Sequence, residues 1–579
     1  MNELARLRPY LRRYRKSYVV GFVHVFLTNV FTLVAPLILK QAVDELRAGK
    51  LQHSLAAYAG AVVGLSLLQG VFRYYMRRIM IGASREIEYD LRSDLFDHLQ
   101  RLPLSFYDRN RIGDLMARST NDLNAVRMFL GPAIMYLANT FLTFTMGLAM
   151  MITIDGKLTL LALLPFPLLS VVVNRLGKAM HVRFDRIQAQ YSDVTTHVQE
   201  NLSGIRVVKA FAREADEVRR FRTLNLEFIK RNMDLVKVWG LFFPVMTLLT
   251  GGALLIVIWV GGLRVVRGEM TLGGFVAFMS YLAMLTWPAI ALGWVLNLIQ
   301  RAAASAARIG KILDEEPAVT GPASSGDEGP VHGALAFRGV AFGAGGTSIL
   351  EDIDLEVKEG ETLAVVGPIG SGKTSLVRLI PRLHDPTKGE VTLDGTPLPG
   401  IPLRRLRGAI GYVPQDTFLF SLTVEENVRF GVPDLSDDDL HAVCGLARVA
   451  EDVEQFPKGY GTRVGERGVL LSGGQKQRFA LARALARDPR ILVLDDALSA
   501  VDLGTEEEIL KGLRRFRKGR TTVIVSHRLS AVRDADRIVV LDGGRIAEQG
   551  THEELVRAGG VYARIHERQQ LRRRLEEIE

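Results

Sequence analysis

The chain consists of an N-terminal half with long apolar stretches and a C-terminal half in which short apolar and polar runs alternate. Six stretches contain no Asp, Glu, Lys or Arg, and each is long enough for a helix to cross a bilayer core. They are Tyr18–Leu39, Leu51–Phe72, Met128–Ile154, Leu158–Asn174, Val238–Leu263 and Thr271–Gln300. Buried helices of a soluble protein rarely give such a series. The pattern therefore predicts six transmembrane helices.

The connections after the second and fourth stretches are predicted to be helical as well. Arg73–Arg127 and Arg175–Lys237 keep helical apolar spacing with few breakers. We expect the spans to continue through them as helical hairpins, which at 1.5 Å per residue project about 35–40 Å from the membrane. Polar and small residues interrupt the pattern at Leu104–Asp108 and at Leu202–Ile205. These two interruptions predict the turns of the hairpins.

The distribution of basic residues sets the predicted orientation. Arginines and one lysine cluster before the first span, at Arg6, Arg8, Arg12, Arg13, Arg15 and Lys16. Both long connections are rich in Arg, whereas Asp155–Lys157 alone joins the third and fourth spans. The positive-inside rule then places the N-terminus, both hairpins and the C-terminal half in the cytoplasm of a multi-pass protein of the cell (inner) membrane. Contact with anionic lipids explains the net charge of +10, so no nucleic-acid partner is predicted.

The composition divides the chain into three parts. Residues 1–313 form the predicted transmembrane domain, and residues 314–330 form a linker rich in Gly, Pro and Ser. From residue 331 to residue 579, β-rich runs alternate with helical ones, which predicts an α/β domain. The single cysteine, Cys444, excludes an intrachain disulfide and lies in an apolar-periodic segment, where we expect it to pack in a core.

A glycine-rich loop follows the predicted strand Thr362–Val366 and precedes the helical segment Ser375–Leu383. Such a loop wraps phosphates with backbone N–H groups, while its lysine and threonine contact phosphate and Mg²⁺. The predicted ATP-binding residues are Gly367, Pro368, Ile369, Gly370, Ser371, Gly372, Lys373, Thr374 and Ser375. The sequence thus predicts a P-loop ATPase domain of the α/β class, fused to an α-helical membrane domain, with ATP and Mg²⁺ as cofactors.

Two consecutive aspartates follow another apolar strand, Ile491–Leu494. Asp495 is placed to hold Mg²⁺ together with Thr374, directly or through water. Asp496 occupies the position at which an ATPase places the carboxylate that orients its attacking water, and a glutamate is expected there. Because a displacement of about 1 Å can lower a rate roughly 10²-fold, we predict slow hydrolysis at this site.

A second glycine-rich helix start lies well beyond the P-loop. Leu471, Ser472, Gly473, Gly474 and Gln475 precede the predicted helix Lys476–Arg487. A Ser-Gly-Gly turn at a helix start presents N–H groups to an anion, although a simple glycine cap has the same sequence. The domain would then present two separate phosphate-binding helix ends.

Together these motifs resemble an ABC transporter of the exporter type, over essentially the whole chain. Leu471–Gln475 matches the signature of that family, and Gln415 matches the Q-loop residue, which the resemblance places at the γ-phosphate and Mg²⁺. His527 matches the switch histidine, a catalytic residue together with Asp496. The residues that match the D-loop are Ser499, Ala500, Val501 and Asp502. Val464–Gly468 resembles the exporter segment that touches a partner's hairpins.

The resemblance implies a dimer in which two ATPase domains meet head to tail and enclose two ATP molecules. Each ATP would touch the P-loop of one chain and the signature of the other. The resemblance also implies transport by alternating access. The predicted spans carry no charged residue, which argues against a proton path and suits amphipathic drugs, lipids or hydrophobic peptides.

This chain departs from the family pattern at its own ATP site. Besides Asp496, Ala344 lies where an aromatic residue stacks on adenine, which removes about 1–3 kcal/mol of stacking, and Leu498 replaces the usual threonine. The signature is intact. The prediction is a heterodimer that resembles the asymmetric bacterial exporters related to antigen-peptide transporters. The partner would be a second, non-identical half-transporter with an intact catalytic glutamate.

Other functions remain open from the sequence. A homodimeric lipid flippase or multidrug exporter would use Asp496 as a slow base, since a bridging water can compensate for a shorter carboxylate. An importer on the same scaffold, or an ATP-gated channel or regulator without net pumping, is also compatible, because a fold does not fix function.

Overall fold

In a computed structural model, residues 2–49, 53–322, 329–465 and 471–576 of the chain are described. The chain forms two compact units. One comprises Met1–Gln100 and Ile112–Asp314, and the other comprises Arg101–Arg111 and Glu315–Glu579. The sequence did not predict that the segment Arg101–Arg111 belongs with the C-terminal unit. The boundaries at residues 313 and 330 stay predictions.

The N-terminal half is helical throughout its described residues. Its long helices are Arg15–Ala48, Leu55–Arg101, Ile134–Leu163, Pro165–Ser203, Glu214–Ile256 and Leu272–Leu313. Its short helices are Asn2–Ala5, Arg8–Arg13, Leu104–Arg109, Ile112–Ala117, Leu123–Met128, Ile205–Ala210 and Gly262–Val266, with π-helical turns at Arg118–Asp122, Phe129–Ala133 and Val257–Gly261. A long helix ends at each predicted interruption, at Arg101 and at Ser203, and a short helix begins just beyond it, at Leu104 and at Ile205.

Among the described residues, four helical segments are long and apolar enough to cross a membrane. They are Arg15–Ala48, Leu55–Arg101, Ile112–Leu163 and Glu214–Val266. The predicted count of six is therefore not confirmed. The predicted fourth span is divided between two helices, because one ends at Leu163 and the next begins at Pro165, whose nitrogen cannot donate a hydrogen bond. The predicted sixth span lies in the long helix Leu272–Leu313, of which the segment Leu272–Leu285 is apolar.

The predicted connection at Asp155 is a break in the helical backbone. Asp155 has φ −160° and ψ 106°, and its Oδ1 accepts a hydrogen bond from the Leu158 N–H at 2.9 Å. The carboxylate therefore caps the helix that follows, and Arg264 forms an ion pair with it.

Further along, the helices Pro165–Ser203 and Glu214–Ile256 pack side by side, where the Gln190 amide donates to the Leu224 carbonyl at 3.0 Å.

The described residues of the C-terminal unit form ten strands in two sheets. The strands are β1 (Leu335–Ala344), β2 (Thr347–Val357), β3 (Thr362–Val366), β4 (Lys388–Leu393), β5 (Thr396–Pro397), β6 (Ile410–Val413), β7 (Ile491–Asp495), β8 (Thr521–Val525), β9 (Arg537–Asp542) and β10 (Arg545–Gly550). One sheet is antiparallel, in the order β2-β1-β4-β5. The other, in the order β10-β9-β3-β8-β7-β6, is parallel except for β10.

Helices and short turns join these strands. They are Lys373–Leu379, Leu398–Gly400, Leu403–Gly408, Val424–Val428, Arg429–Gly431, Asp437–Leu446, Ala450–Glu454, Gly459–Gly461, Gly473–Leu485, Leu503–Phe516, Leu529–Val532, His552–Ala558 and Val561–Glu576. Every residue of β3, β7 and β8 is buried, as expected for central parallel strands. Cys444 is 0% exposed in the core, and burial raises the pKa of its thiol to about 11.

Candidate ATP site

The P-loop joins the end of β3 to a helix, as the sequence predicts, but that helix spans Lys373–Leu379 and not Ser375–Leu383. Gly367 and Gly372 have φ values of +152° and +95°, which favour glycine. A Cβ at Gly367 would lie 2.1 Å from the Leu541 carbonyl oxygen, so the loop excludes a side chain there. These glycines allow the tight turn that presents backbone N–H groups to a phosphate.

Lys373 lies folded against its own loop. Its Nζ donates to the carbonyl oxygens of Gly367 at 3.0 Å and Pro368 at 2.8 Å. Burial lowers the pKa of Lys373, and the nearby Asp496 and Asp495 carboxylates oppose that shift. The ammonium is therefore already poorly hydrated, which strengthens its attraction to an incoming phosphate.

The three residues predicted to hold Mg²⁺ lie together. The Thr374 hydroxyl donates to Asp495 Oδ1 at 3.1 Å and lies 3.5 Å from Gln415 Oε1. Asp495 is 0% exposed, and burial raises the pKa of its carboxyl group. Its Oδ2 makes no hydrogen bond within the part of the chain that the structure describes. An uncompensated buried oxygen of this kind is costly unless a cation satisfies it.

The donor set fits Mg²⁺. It consists of a hydroxyl, an amide oxygen and a carboxylate, which are the hard oxygen ligands that Mg²⁺ prefers. In the described ranges no group of three or more His, Cys, Asp or Glu forms a metal site made by protein alone. Because three oxygen donors leave the octahedral shell of Mg²⁺ incomplete, an ion held here would share its ligands with a bound triphosphate, whose negative charge it would offset.

We expect Thr374→Val to raise the Mg²⁺ concentration needed for half-maximal ATP binding about tenfold, because the valine keeps the volume and removes the oxygen ligand. Titration of ATP binding with Mg²⁺ measures this effect. Thr374→Ser is the matched control, since it keeps the hydroxyl and should bind like the unchanged chain. Equal losses in both variants would contradict the assignment.

Asp496 and His527 lie beside the Mg²⁺ residues, at the ends of β7 and β8. Asp496 is 8% exposed and has φ +50°, and its Oδ1 lies 3.5 Å from the His527 backbone nitrogen. Partial burial, together with the Lys373 ammonium, lowers the pKa of His527. The imidazole is therefore neutral near pH 7 and can accept or donate a hydrogen bond.

These residues line one cavity of about 350 Å³. Its walls are formed by Ile349, Ile369, Gly370, Gly372, Lys373, Thr374, Ser375, Gln415, Asp495, Asp496, Val525 and His527. Gly367, Pro368 and Ser371 of the P-loop are not among the residues that line the cavity. The sequence did not predict Ile349, an apolar β2 residue that only the β1–β2 hairpin brings to the cavity. The cavity walls include none of the residues Leu471–Gln475.

The signature forms a complete helix start. Ser472 is the N-cap of the helix Gly473–Leu485, where its hydroxyl accepts from the Gln475 N–H at 3.2 Å and its N–H donates to Gln475 Oε1 at 2.9 Å. Leu471 is buried. This reciprocal capping box leaves the N–H groups of the glycine turn available to an anion.

The D-loop packs against the signature helix. The Gln477 side chain donates to Ser499 Oγ at 2.9 Å and accepts from the Ala500 N–H at 2.8 Å. Asp502 caps the helix Leu503–Phe516 by accepting from the Thr505 N–H at 2.9 Å, which lowers the pKa of its carboxyl group. Gln477 was not predicted from the sequence, although it follows the signature by two residues.

Arg528 holds the D-loop from the other side. Its guanidinium donates to the carbonyl oxygens of Ser499 and Val501, each at 2.8 Å, and pairs with the buried Glu506. Two sequence predictions remain outside the described part. They concern the Ala344 side chain and residues 466–468 of the exporter segment Val464–Gly468. Val464 itself is described and is buried. The roles assigned to the site residues stay predictions.

Comparisons with known proteins cover both units. Residues 18–289 match the model "ABC transporter transmembrane region", and residues 350–499 match the model "ABC transporter". The chain is 40% identical to "Probable multidrug resistance ABC transporter ATP-binding/permease protein YheI" of Bacillus subtilis (strain 168), over 98% of each chain. The chain belongs to the ABC transporter family. Transporters of this family couple ATP hydrolysis to transport, and the matched transmembrane region makes this chain a protein that crosses the membrane several times.

Two further similarities define the type of ABC transporter. The chain is 34% identical to an "ATP-dependent lipid A-core flippase" of Syntrophus aciditrophicus (strain SB), over 98% of this chain and 95% of the flippase. It matches the "Structure of a bacterial Atm1-family ABC exporter with ATP bound" with a TM-score of 0.78 and 28% identity, over 96% of this chain and 99% of that one. The protein thus has the fold of a type IV ABC exporter.

Proposed function

We propose that the chain is one subunit of a heterodimeric ATP-driven exporter. It would move amphipathic substrates, such as drugs, lipids or peptides, out of the cytoplasm by alternating access. Its own ATP site is degenerate, while its signature serves the active site of a non-identical half-transporter with an intact catalytic glutamate. The contrast between the short Asp496 and the complete capping box of Ser472 carries the proposal.

The position of the signature supports a head-to-tail dimer. The signature residues do not contribute to the cavity that Lys373, Thr374 and Asp495 line. An ATP in that cavity needs a second phosphate-binding helix end from another chain, and this chain's own helix end is available to the partner's ATP. Closure around ATP would then be transmitted to the helical hairpins and open the spans outward.

The backbone around Asp496 supports a degenerate site. The Asp496 N–H donates to the Val525 carbonyl at 2.9 Å, and the Gln477 amide lies 3.4 Å from the Asp496 carbonyl oxygen. Both contacts hold the backbone in place. The backbone of Asp496 therefore cannot move toward the cavity to compensate for a side chain one methylene shorter than glutamate.

Composition and relatives support an amphipathic substrate. One relative is named for multidrug resistance and another for lipid A-core transport. The apolar stretches of this chain carry no formal charge with which to bind an ion. The basic residues before Tyr18 and in the hairpins favour a cytoplasmic N-terminus and ATPase domain, with anionic lipid headgroups nearby.

A homodimeric flippase or multidrug exporter is the second candidate. Asp496 lines the same cavity as Lys373 and His527, so its carboxylate faces the region where an attacking water would lie. A slow but active site would then suffice for transport.

Steady-state ATPase activity of this chain alone distinguishes the two candidates. We expect the chain, in lipid nanodiscs that contain two copies, to bind MgATP and to release almost no phosphate. Binding confirms that the protein is folded and that a lack of turnover comes from the site. Robust turnover would contradict the heterodimer and establish Asp496 as a working residue.

A further inference from the structure

The switch histidine lies on a short connection with few fixed points. His527 follows the end of β8 by two residues, and the helix Leu529–Val532 begins two residues later. Its side chain lines the cavity wall and is only partly buried there. The direction in which the imidazole points is therefore set by its backbone more than by packing. Asp496 Oδ1 is one anchor of that backbone, at 3.5 Å from the His527 nitrogen.

Gln569, on the C-terminal helix Val561–Glu576, is the other anchor. Its Nε2 donates to the His527 carbonyl oxygen, and its Oε1 accepts from the Leu529 N–H at 3.1 Å. The N-cap of the helix Leu529–Val532 is Arg528, which makes no side-chain cap hydrogen bond. Gln569 therefore caps this helix from outside and satisfies an N–H that the helix itself cannot. One amide thus holds the backbone on both sides of Arg528.

The helix that carries Gln569 is itself fixed at its N-terminal end. Glu548 Oε2 accepts from the Tyr562 N–H at 3.1 Å, and the Tyr562 hydroxyl lies 2.7 Å from His552 Nδ1. Tyr562 is 0% exposed. This anchored end gives the following turns of the helix a defined direction. Gln569 therefore reaches the residues His527–Leu529, which we call the switch segment.

A cleft lies next to the hydrogen bonds between Gln569 and the switch segment. The cleft has a volume of about 750 Å³ and lies between the C-terminal helix and the helix Leu503–Phe516. Gln569, Leu529 and Ser530 are among its lining residues. The switch segment is thus open to solvent on this side, where few side chains pack against it. The hydrogen bonds from the Gln569 amide therefore hold its backbone in place.

We propose that Gln569 is a positioning residue for the switch histidine. By fixing the His527 carbonyl and the Leu529 N–H, it orients the imidazole toward the γ-phosphate of ATP bound at this chain's P-loop. The inference rests on the proposed ATP site, but it holds for a homodimer and a heterodimer alike. Gln569 acts through His527 and is not a catalytic residue.

Nucleotide selectivity tests this role, because only ATP has the γ-phosphate that His527 faces. For the full chain in nanodiscs, we expect Gln569→Ala to weaken MgATP binding about five- to tenfold, equivalent to about 1–1.4 kcal/mol, and to leave MgADP binding unchanged. Gln569→Glu keeps the acceptor for Leu529 but sets a carboxylate against the His527 carbonyl, so it should also weaken MgATP binding selectively. This second variant covers the case in which the alanine variant folds poorly.

The neighbouring glutamine is the matched control. Gln570 lines the same cleft, and its amide contacts His566 one turn earlier at 3.1 Å. Gln570→Ala should change neither affinity. In a double-mutant cycle, His527→Ala with Gln569→Ala should bind MgATP no more weakly than His527→Ala alone, because both changes remove one interaction.

Three results would overturn the inference. Equal losses of MgATP and MgADP binding would show a general structural role for Gln569. Additive losses in the cycle would show that Gln569 acts without His527. Unchanged MgATP affinity in the Gln569 variants, with normal binding by the unchanged chain, would show that the contact does not position the histidine. Failure of the unchanged chain to bind MgATP would instead overturn the ATP site, and the inference with it.

Discussion

Replacing Asp496 by glutamate is expected to raise the ATP turnover of this chain about 10²-fold in nanodiscs that contain two copies. The longer side chain carries its carboxylate about 1 Å further into the cavity that Lys373 and Thr374 line. The backbone of residue 496 cannot move the carboxylate by this distance, because its N–H donates a hydrogen bond to the Val525 carbonyl oxygen, with 2.9 Å between nitrogen and oxygen. We therefore expect the length of the Asp496 side chain to limit how well an attacking water is oriented.

Phosphate release at saturating MgATP measures this gain. Asp496→Asn is the control, since it keeps the size of the side chain and removes the charge that would accept a proton from water. It should lower the residual turnover of the unchanged chain and leave MgATP binding intact. If Asp496→Glu binds MgATP but turns over no faster than the unchanged chain, the short carboxylate does not limit the reaction.

The sequence predicted the central ATP site because that site follows from strand topology. The P-loop, Gln415, Asp495 and His527 are far apart along the chain, yet each lies at or just after the end of a parallel strand of one sheet. The carboxyl ends of such strands meet at one edge, so a motif at each strand end is enough to predict their proximity. In the structure, residues of the P-loop together with Gln415, Asp495 and His527 line one cavity.

Other features depend on contacts between elements that no local pattern reports. Gln477, Arg528 and Gln569 are ordinary polar residues in the sequence, and only helix packing brings them to the D-loop and the switch segment. The division of the fourth apolar stretch at Pro165 was missed for a different reason. Apolarity measures compatibility with a membrane, whereas helix ends depend on backbone hydrogen bonds.

The second large effect is expected at the signature of the assembled heterodimer. Gly474→Ala should lower turnover at least about 10²-fold, the loss typical for removing one donor to a developing anionic charge. A Cβ at Gly474 would lie 2.8 Å from the Ala500 carbonyl oxygen, so the glycine turn and the D-loop would have to separate. The N–H groups that face the partner's ATP would lose their alignment. Phosphate release from the complex that copurifies with this chain measures the loss.

A matched glycine controls for the added methyl group. Gly445 lies in the helix Asp437–Leu446, where a Cβ would meet no atom within 4 Å, so Gly445→Ala should keep full turnover. Substrate transport by the complex should follow the same order as phosphate release, because hydrolysis drives transport in this family.

The P-loop of the same chain should behave in the opposite way. Lys373→Ala removes the ammonium that lies against the Gly367 and Pro368 carbonyls, so it should reduce photolabelling of this chain by an azido-ATP analogue. Most turnover should remain if, as we propose, the partner's P-loop and this chain's Ser472 and Gly474 form the active site. Equal loss of turnover in Lys373→Ala and Gly474→Ala would mean that both sites hydrolyse ATP. The asymmetry between Asp496 and the signature would then have no functional consequence, and the homodimer would be the better description.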